Sequence, residues 1–464
     1  MLSHLKKDFS EEQQERILYL AGGYGLLMSK GLTHQCHLPI SLLPTQFSGQ
    51  LVQEITELTP DFNLLMYNVH LDRKWIFEVL DQVGQIDDFT GRLLFIAKKK
   101  ETEGWEEPGF LGINRNDFML DKATQSLKQV EFNTMASSFG ALATKMPKLH
   151  KLILSQYSEH FQGVDPFHVK DNCALNKLSE SIAKAHEVYN SSASVMFLVL
   201  SVENNYFDQV YLEKKLWENW GIPVVRASLM QVYERGFINE RGCLIYQNQE
   251  VSVVYMRAGY SPDHYQSESE WKARELIDLS RAIKTPNIFY HLAGTKRVQQ
   301  CLADKATLSK FIAQDKVDLV FKYFTDLYGF DSELPDELLR EVQRAPQNFV
   351  LKPQREGGGN NIYGEEILKH FENYESQEVR EKLKQYILMR KIEAPEVDNL
   401  LARNGSVNKA KTLSELGMFG TLVASGTTVL NNEYAGYLVR TKSSEATEGG
   451  VAAGYAVIDS IYLI

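Results

Sequence analysis

Residues 348–366 read NFVLKPQREGGGNNIYGEE, and no other segment limits the chain as much. The segment opens with Phe349, Val350 and Leu351, an apolar run of the kind that forms a buried strand. Lys352, Glu356, Gly357, Gly358, Gly359, Asn360 and Asn361 follow within ten residues. A lysine at a strand end can hold phosphate oxygens as a point charge. A glycine run lets backbone N–H groups close around a triphosphate. An acid beside phosphates can share a Mg²⁺ ion with them. A surface loop is the alternative for a glycine triplet. The lysine and the acid flanking it favour phosphate binding. No GxxxxGK[ST] string occurs, so this is not a Walker loop.

The remaining composition narrows the function classes. The chain has 464 residues, a length that suits two or three domain-sized units. Apolar residues make up 44% and aromatics 11%, ordinary for a protein with substantial cores. A formal charge of −10 argues against non-specific nucleic-acid binding. An anionic nucleotide would therefore need local positive charge. Cys36, Cys173, Cys243 and Cys301 have no short mutual spacing, so zinc and CxxC readings fail. Such sparse cysteine usage suits reduced thiols and a cytoplasmic location. No run of 18 or more apolar residues exists, which argues against a membrane span. The first twenty residues lack a signal-peptide core, although a removed leader stays compatible with this sequence. HExxH, GxSxG and GxGxxG strings are all absent.

Periodicity organises the chain. Residues 10–30 carry a helical pattern with Ser10 as N-cap, and residues 71–84 read similarly. Residues 92–96 are a short apolar run, read as a buried strand, and 125–133 alternate as a strand. The run 195–202 is continuously apolar, as in a strand covered on both faces. A helix over 208–220 and strands near 222–227 and 251–257 then predict a small parallel α/β unit over about 190–292. Residues 303–344 are helical in character. Strands are expected at 348–352, 386–392, 419–424, 427–431 and 436–442.

Strand alternation also groups polar residues. Gln129, Glu131 and Asn133 should share one face, where a carboxylate and an amide oxygen suit Mg²⁺; a solvated edge strand is the alternative. Arg440 and Lys442 share a face near the chain end. Two like charges there repel unless an anion lies beside them or the strand is an exposed edge.

The string KPQREGGGNNIYGEE closely resembles the glycine-rich lid of eukaryotic glutathione synthetase, an ATP-grasp ligase family. RTKSSEATEGGVAAG at 440–454 is similar to that family's substrate loop, and QVEFNTMASSFG at 129–140 to its metal- and peptide-binding segment. LGINR, FDQ, HLAGTKRVQQ, YILMRKIE and SELGMFG also match, in order, and the matches cover most of the chain from about residue 10 onward. The resemblance implies an α/β (α+β) fold. Its ATP-grasp body would comprise residues 1–190 and 293–464, with a lid at about 353–415 and a substrate loop at about 443–454. A parallel α/β substrate-binding domain, 191–292, would be inserted within it. The implied reaction ligates γ-glutamylcysteine with glycine, using ATP as co-substrate and two Mg²⁺ ions, through an acyl phosphate. The family is typically a homodimer.

Residue roles carry over by motif. Glu131, Asn133 and Glu356 fall on the family's magnesium ligands. Lys296, Lys352, Gly357, Gly358 and Gly359 fall along the phosphates, with Asn361 and Tyr363 finishing the ATP pocket. Met389, Lys391 and Ile392 correspond to the adenine hinge, Glu415 to the ribose contact, and Lys442 and Glu448 to further ATP contacts. Arg115, Ala136, Ser138, Glu203, Asn205, Gln209, Arg257 and Tyr260 match positions that bind the dipeptide. Arg440, Val451 and Ala452 match the loop that holds the substrate carboxylate; Arg440, Lys352 and Arg115 are the expected catalytic residues. The two glycine runs, 357–359 and 449, 450 and 454, are the expected moving segments.

Four positions depart from the family. Ala258 replaces an Asp in its RDGY string, Ala136 replaces one serine near the peptide, Glu448 replaces an Asp, and Arg390 replaces a hinge Glu. Alternation should point Arg390 outward. These changes keep two alternatives open: a ligase for another acceptor, and a paralogue with weak ligase activity that acts as a binding or effector protein.

Overall fold

The computed structural model of the chain describes residues 4–30, 34–189, 192–356, 359–446, 449–451 and 454–464. Four expected site residues, Gly357, Gly358, Glu448 and Ala452, lie outside them. Local signals set several element starts. Ser10 accepts from the Gln13 backbone while the Gln13 side chain reaches back, and this reciprocal cap starts the helix Glu11–Gly23. The chain then turns into the strand Leu27–Lys30, so the expected helix stops short of residue 30.

A largely antiparallel seven-stranded sheet forms the body. Its strand order is Val397–Arg403, Ile40–Ser41, Ala456–Asp459, Thr428–Ser443, Ser406–Ser425, Phe110–Leu120 and Leu127–Asn133. The three separate strands expected over 419–442 are parts of one long hairpin, Ser406–Ser425 with Thr428–Ser443, turned at Gly426. Register shifts near Gly420 and Ala424 interrupt its alternation, which is why the sequence reads as shorter pieces.

Parallel strands form in the central segment, the first of them ending at Leu198 rather than at 202. Val224–Ala227, Ser194–Leu198, Gln249–Met256 and Ile283–Thr285 pair in parallel, with the helix Tyr206–Trp220 crossing between the first two. Gly236–Ile238 and Leu244–Tyr246 extend this sheet antiparallel. A third sheet, ordered Leu327–Tyr328, Tyr386–Arg390, Phe349–Pro353 and Ile362–Tyr363, has its own hydrophobic cluster around Phe349, Leu351, Phe371 and Leu388.

The run 92–96 is not a strand but part of the helix Asp88–Glu103. Asp87 caps that helix by accepting from Thr90, and Leu93, Leu94, Ile96 and Ala97 are buried while Phe95 is exposed. An apolar run as short as Leu93–Ile96 fits either element; the cap and the helical spacing of its buried positions favour helix. This helix packs tightly on Arg73–Ile86. A Cβ at Gly91 would lie 2.4 Å from Gly84 O, and a Cβ at Gly84 would lie 2.5 Å from Leu94 Cδ1. Alanine at residue 91 would gain about 1 kcal/mol of helix propensity. Forcing two helix backbones apart costs about 1–3 kcal/mol. Gly91→Ala is therefore expected to lower stability by up to about 2 kcal/mol in urea unfolding; higher stability would contradict this packing.

Candidate active site

The body sheet brings its charged residues together by register. Arg115 lies opposite Asn133, Asp117 opposite Glu131 and Gly417, and Arg440 opposite Glu415. Asp117, which the sequence reading missed, is the hub. It is fully buried. Arg115 donates to it through Nε at 2.6 Å and Nη2 at 2.7 Å. Asn133 Nδ2 donates at 2.8 Å and Arg440 Nη2 at 2.9 Å. Arg440 also donates to Glu415. Protein carboxylates thus neutralise part of the charge at Arg440. Strand alternation could have revealed Asp117, since residues 115 and 117 share a face.

Gly417 makes room for this hub. A Cβ there would lie 2.6 Å from Asp117 Oδ1 and 2.7 Å from Arg115 Cδ. A bulge in the neighbouring strand changes one expectation. Asp117 pairs with Glu131 but Phe118 pairs with Gln129, leaving Val130 as the extra residue. Gln129 therefore turns away from Glu131 and Asn133 and donates to Asn116 Oδ1 at 2.7 Å.

Above this face lies a cavity shared with the third sheet. Its lining includes the expected residues Arg115, Glu131, Asn133, Lys352, Asn361 and Tyr363. Met389, Lys391, Ile392, Glu415, Arg440 and Lys442 complete the expected set there. Five of these side chains are basic and two are acidic, so a chain of charge −10 presents a locally positive cavity. Lys352 is buried and donates to Val130 O at 2.9 Å. Asn361 Nδ2 donates to Tyr363 Oη at 3.2 Å. Gly359 is exposed, with a φ of +95°.

Lys296 and Glu356 border a recess beside the cavity together with Tyr260. Lys296 Nζ lies 3.2 Å from Glu131 Oε2 and 3.9 Å from Glu356 Oε1. Burial alone would raise the Glu131 carboxyl, but Lys296, Lys352, Arg440 and Arg115 bring it down to about 2. Burial prevails at Glu356 and lifts it to about 7, with Glu131 adding to the effect and Lys296 opposing it. The Lys352 ammonium is lowered by burial, with Lys296 adding repulsion. The Lys296 ammonium is raised because Glu131 and Glu356 outweigh burial.

Among the described residues, no three His, Cys, Asp or Glu side chains form a ready metal cluster. The expected donors are two carboxylates and an amide instead. Asn133 uses its nitrogen on Arg115 O at 3.1 Å and on Asp117, which leaves its oxygen as the end for a cation. Glu356 Oε2 is buried and has no hydrogen-bond partner among the described residues. These hard oxygens suit Mg²⁺ completing its shell with water and phosphate.

The other expected peptide residues gather on the central unit. Arg257 Nη1 donates to the buried Asp208 at 3.1 Å, and Asp208 accepts from the backbones of Phe139, Ala141 and Leu142. Asp208, another residue missed in sequence, thereby ties Arg257 to the turn carrying Ala136 and Ser138. Ala136 holds a φ of +50°, a conformation L residues rarely adopt. Glu203 accepts from Asn205 N and Gln209 Nε2, while Gln209 Oε1 accepts from Arg226. Both polar side-chain atoms of Asn205 are buried without a hydrogen-bond partner among the described residues. The Val451 side chain is buried in the core. Arg390 points outward as expected, pairing with Asp326 and Glu341.

Removing one member of a buried charge network costs about 3–5 kcal/mol. Asp117→Ala should lose that much in chemical unfolding; a loss below about 1 kcal/mol would mean that Asp117 does not organise the network.

The family profile described as eukaryotic glutathione synthase, ATP binding domain, matches residues 15–463. A chloroplastic glutathione synthetase of Arabidopsis thaliana is 41% identical over 432 residues, covering 92% of this chain and 79% of its own. The Homo sapiens glutathione synthetase is 38% identical over 432 residues, covering 91% of this chain and 90% of its own. Among solved structures, a glutathione synthetase-like effector from Globodera pallida, in its apo form, is similar in fold. Its TM-score is 0.77 at 22% identity, covering 98% of this chain and 96% of that one.

Proposed function

The chain belongs to the eukaryotic glutathione synthase family and has an ATP-grasp type fold, and from that premise we propose how its cavity joins γ-glutamylcysteine to glycine with ATP. The observation that carries this reading is the meeting of Glu131, Lys296, Lys352, Glu356 and Arg440, from distant parts of the chain, at one basic cavity and its adjoining recess.

A carboxylate does not condense with an amine in water without activation. The cysteinyl carboxylate of γ-glutamylcysteine attacks the γ-phosphate, giving an acyl phosphate and ADP; the glycine amine then attacks that carbonyl and expels phosphate. No covalent enzyme intermediate is needed, so catalysis is positioning and charge stabilisation. Lys296 and Lys352 face the transferring phosphate. Arg440 and Arg115 hold carboxylate groups in fork geometry. Glu131, Asn133 and Glu356 would hold Mg²⁺. When bound, Mg²⁺ screens the charge of the phosphate oxygens. The apolar side chains Met119, Val350, Met389, Ile392 and Leu413 line the same cavity and suit a planar base. Glu203, Asn205, Arg257 and Tyr260, within the domain 191–292, orient the γ-glutamyl group. Turnover to glutathione requires water to be kept from the acyl phosphate. We further propose a homodimer working in the cytoplasm. No helix among the described residues is long and apolar enough to cross a membrane.

Phosphate release with γ-glutamylcysteine tests this reading with glycine, β-alanine or serine as acceptor. Release with glycine is expected. Release only with another acceptor would support altered specificity, for which Ala136 and Ala258 are the sequence grounds. No release with any acceptor would support a binding or effector role. Glu356→Gln should reduce turnover about a hundredfold or more. Activity near that of the parent would overturn the metal assignment.

A further inference from the structure

The segment leading into the glycine run is fastened to two helix starts. Gln354 and Arg355 are consecutive, and both are bound outside their own sheet. Gln354 is buried and accepts from Arg297 N at 3.0 Å, at the start of the helix Lys296–Leu302. The Arg355 guanidinium forms a two-pronged pair with Asp87, Nη2 to Oδ1 at 2.6 Å and Nη1 to Oδ2 at 2.9 Å. Nη1 also donates to Gln354 O at 2.7 Å, and the guanidinium lies 5.5 Å from the Phe89 ring centre. Asp87 is buried and accepts from Thr90 N at 2.9 Å and Thr90 Oγ1 at 2.6 Å, so its carboxylate caps the helix Asp88–Glu103 while holding Arg355.

The next residue is Glu356, with a buried, unpartnered oxygen among the described residues. Phe89, Thr90, Arg355, Lys296 and Glu356 line one recess. The third sheet has its own hydrophobic cluster, so polar fastenings of this kind set where its loop meets the body. Bidentate arginine–carboxylate pairs fix direction as well as distance. A carboxylate one residue beyond such a pair has little freedom to drift.

We propose that Asp87 is a positioning residue for metal–nucleotide binding: through Arg355 it holds Glu356 beside Lys296 at the fixed end of the glycine-rich loop. This rests on the ligase reading of the site. Asp87 is placed to act through Arg355, setting where a proposed ligand, Glu356, stands.

Asparagine caps helices as well as aspartate does. Asp87→Asn therefore retains the cap and removes the charge that holds the guanidinium. Arg355→Lys keeps the charge and removes the fork. Binding of Mn²⁺ is followed by loss of its free-ion electron paramagnetic resonance signal, with the non-hydrolysable analogue adenylyl imidodiphosphate present, on the full chain. Both variants should weaken metal–nucleotide binding about tenfold, as loss of a residue supporting a metal ligand does. The KM for γ-glutamylcysteine should stay within about twofold and the melting temperature within about 4 °C of the parent. Unchanged metal–nucleotide binding in either variant overturns the proposal. So does a matched loss of nucleotide binding, dipeptide KM and melting temperature, which would make the pair only a structural brace. A parent chain that binds no metal–nucleotide would sink the ligase reading itself, and this inference with it.

Discussion

The carboxylate of Asp117 holds two arginines and an amide that would otherwise repel or wander. Four donors meet at its two oxygens, and water does not reach it. In such a setting a hydrogen-bonded charge is strongly directional. The arrangement needs the body sheet to be in one register. A one-residue slip would send Arg115, Asp117, Glu415 and Arg440 to the opposite face. Gly417 supports the same register by leaving the space that Asp117 and Arg115 fill.

A second group of charges builds on that frame. Lys296 sits between Glu131 and Glu356, while Lys352 is held against the strand that carries Glu131. The two carboxyls respond in opposite directions. Glu131 is ringed by cations and stays low, whereas Glu356 is dominated by burial and rises. This contrast suits a site completed by a ligand: the protein supplies positive charge for phosphate and leaves one acidic oxygen, Glu356 Oε2, without a hydrogen-bond partner among the described residues.

Much of this could be read from the chain because strands keep a period of two. Glu131 with Asn133, and Arg440 with Lys442, were grouped on that basis, and the cavity lining contains all four. The limits have local causes. The bulge at Val130 broke the period and turned Gln129 away. The apolar run 92–96 is too short to separate a buried strand from a helix turn, and the cap at Asp87 went unused as a signal. The hairpin over 406–443 read as fragments because register shifts interrupt its alternation. Asp208 and Asp87 were hidden for another reason. Their partners, Phe139 and Arg355, lie far along the chain, and spacing carries no trace of such contacts. Asp117 was readable, two residues from Arg115 on the same strand face.

The central proposal is that the nucleotide phosphates bind beside Lys296 and Lys352, with Glu131 and Glu356 holding their Mg²⁺. A crystal structure of the full chain with adenylyl imidodiphosphate, Mg²⁺ and γ-glutamylcysteine tests it directly. The account predicts phosphate density flanked by those four side chains, with the base against Met389 and Ile392 and the dipeptide carboxylate at Arg440. Nucleotide bound away from Glu131 and Lys352, or a base placed where the phosphates are expected, would contradict it.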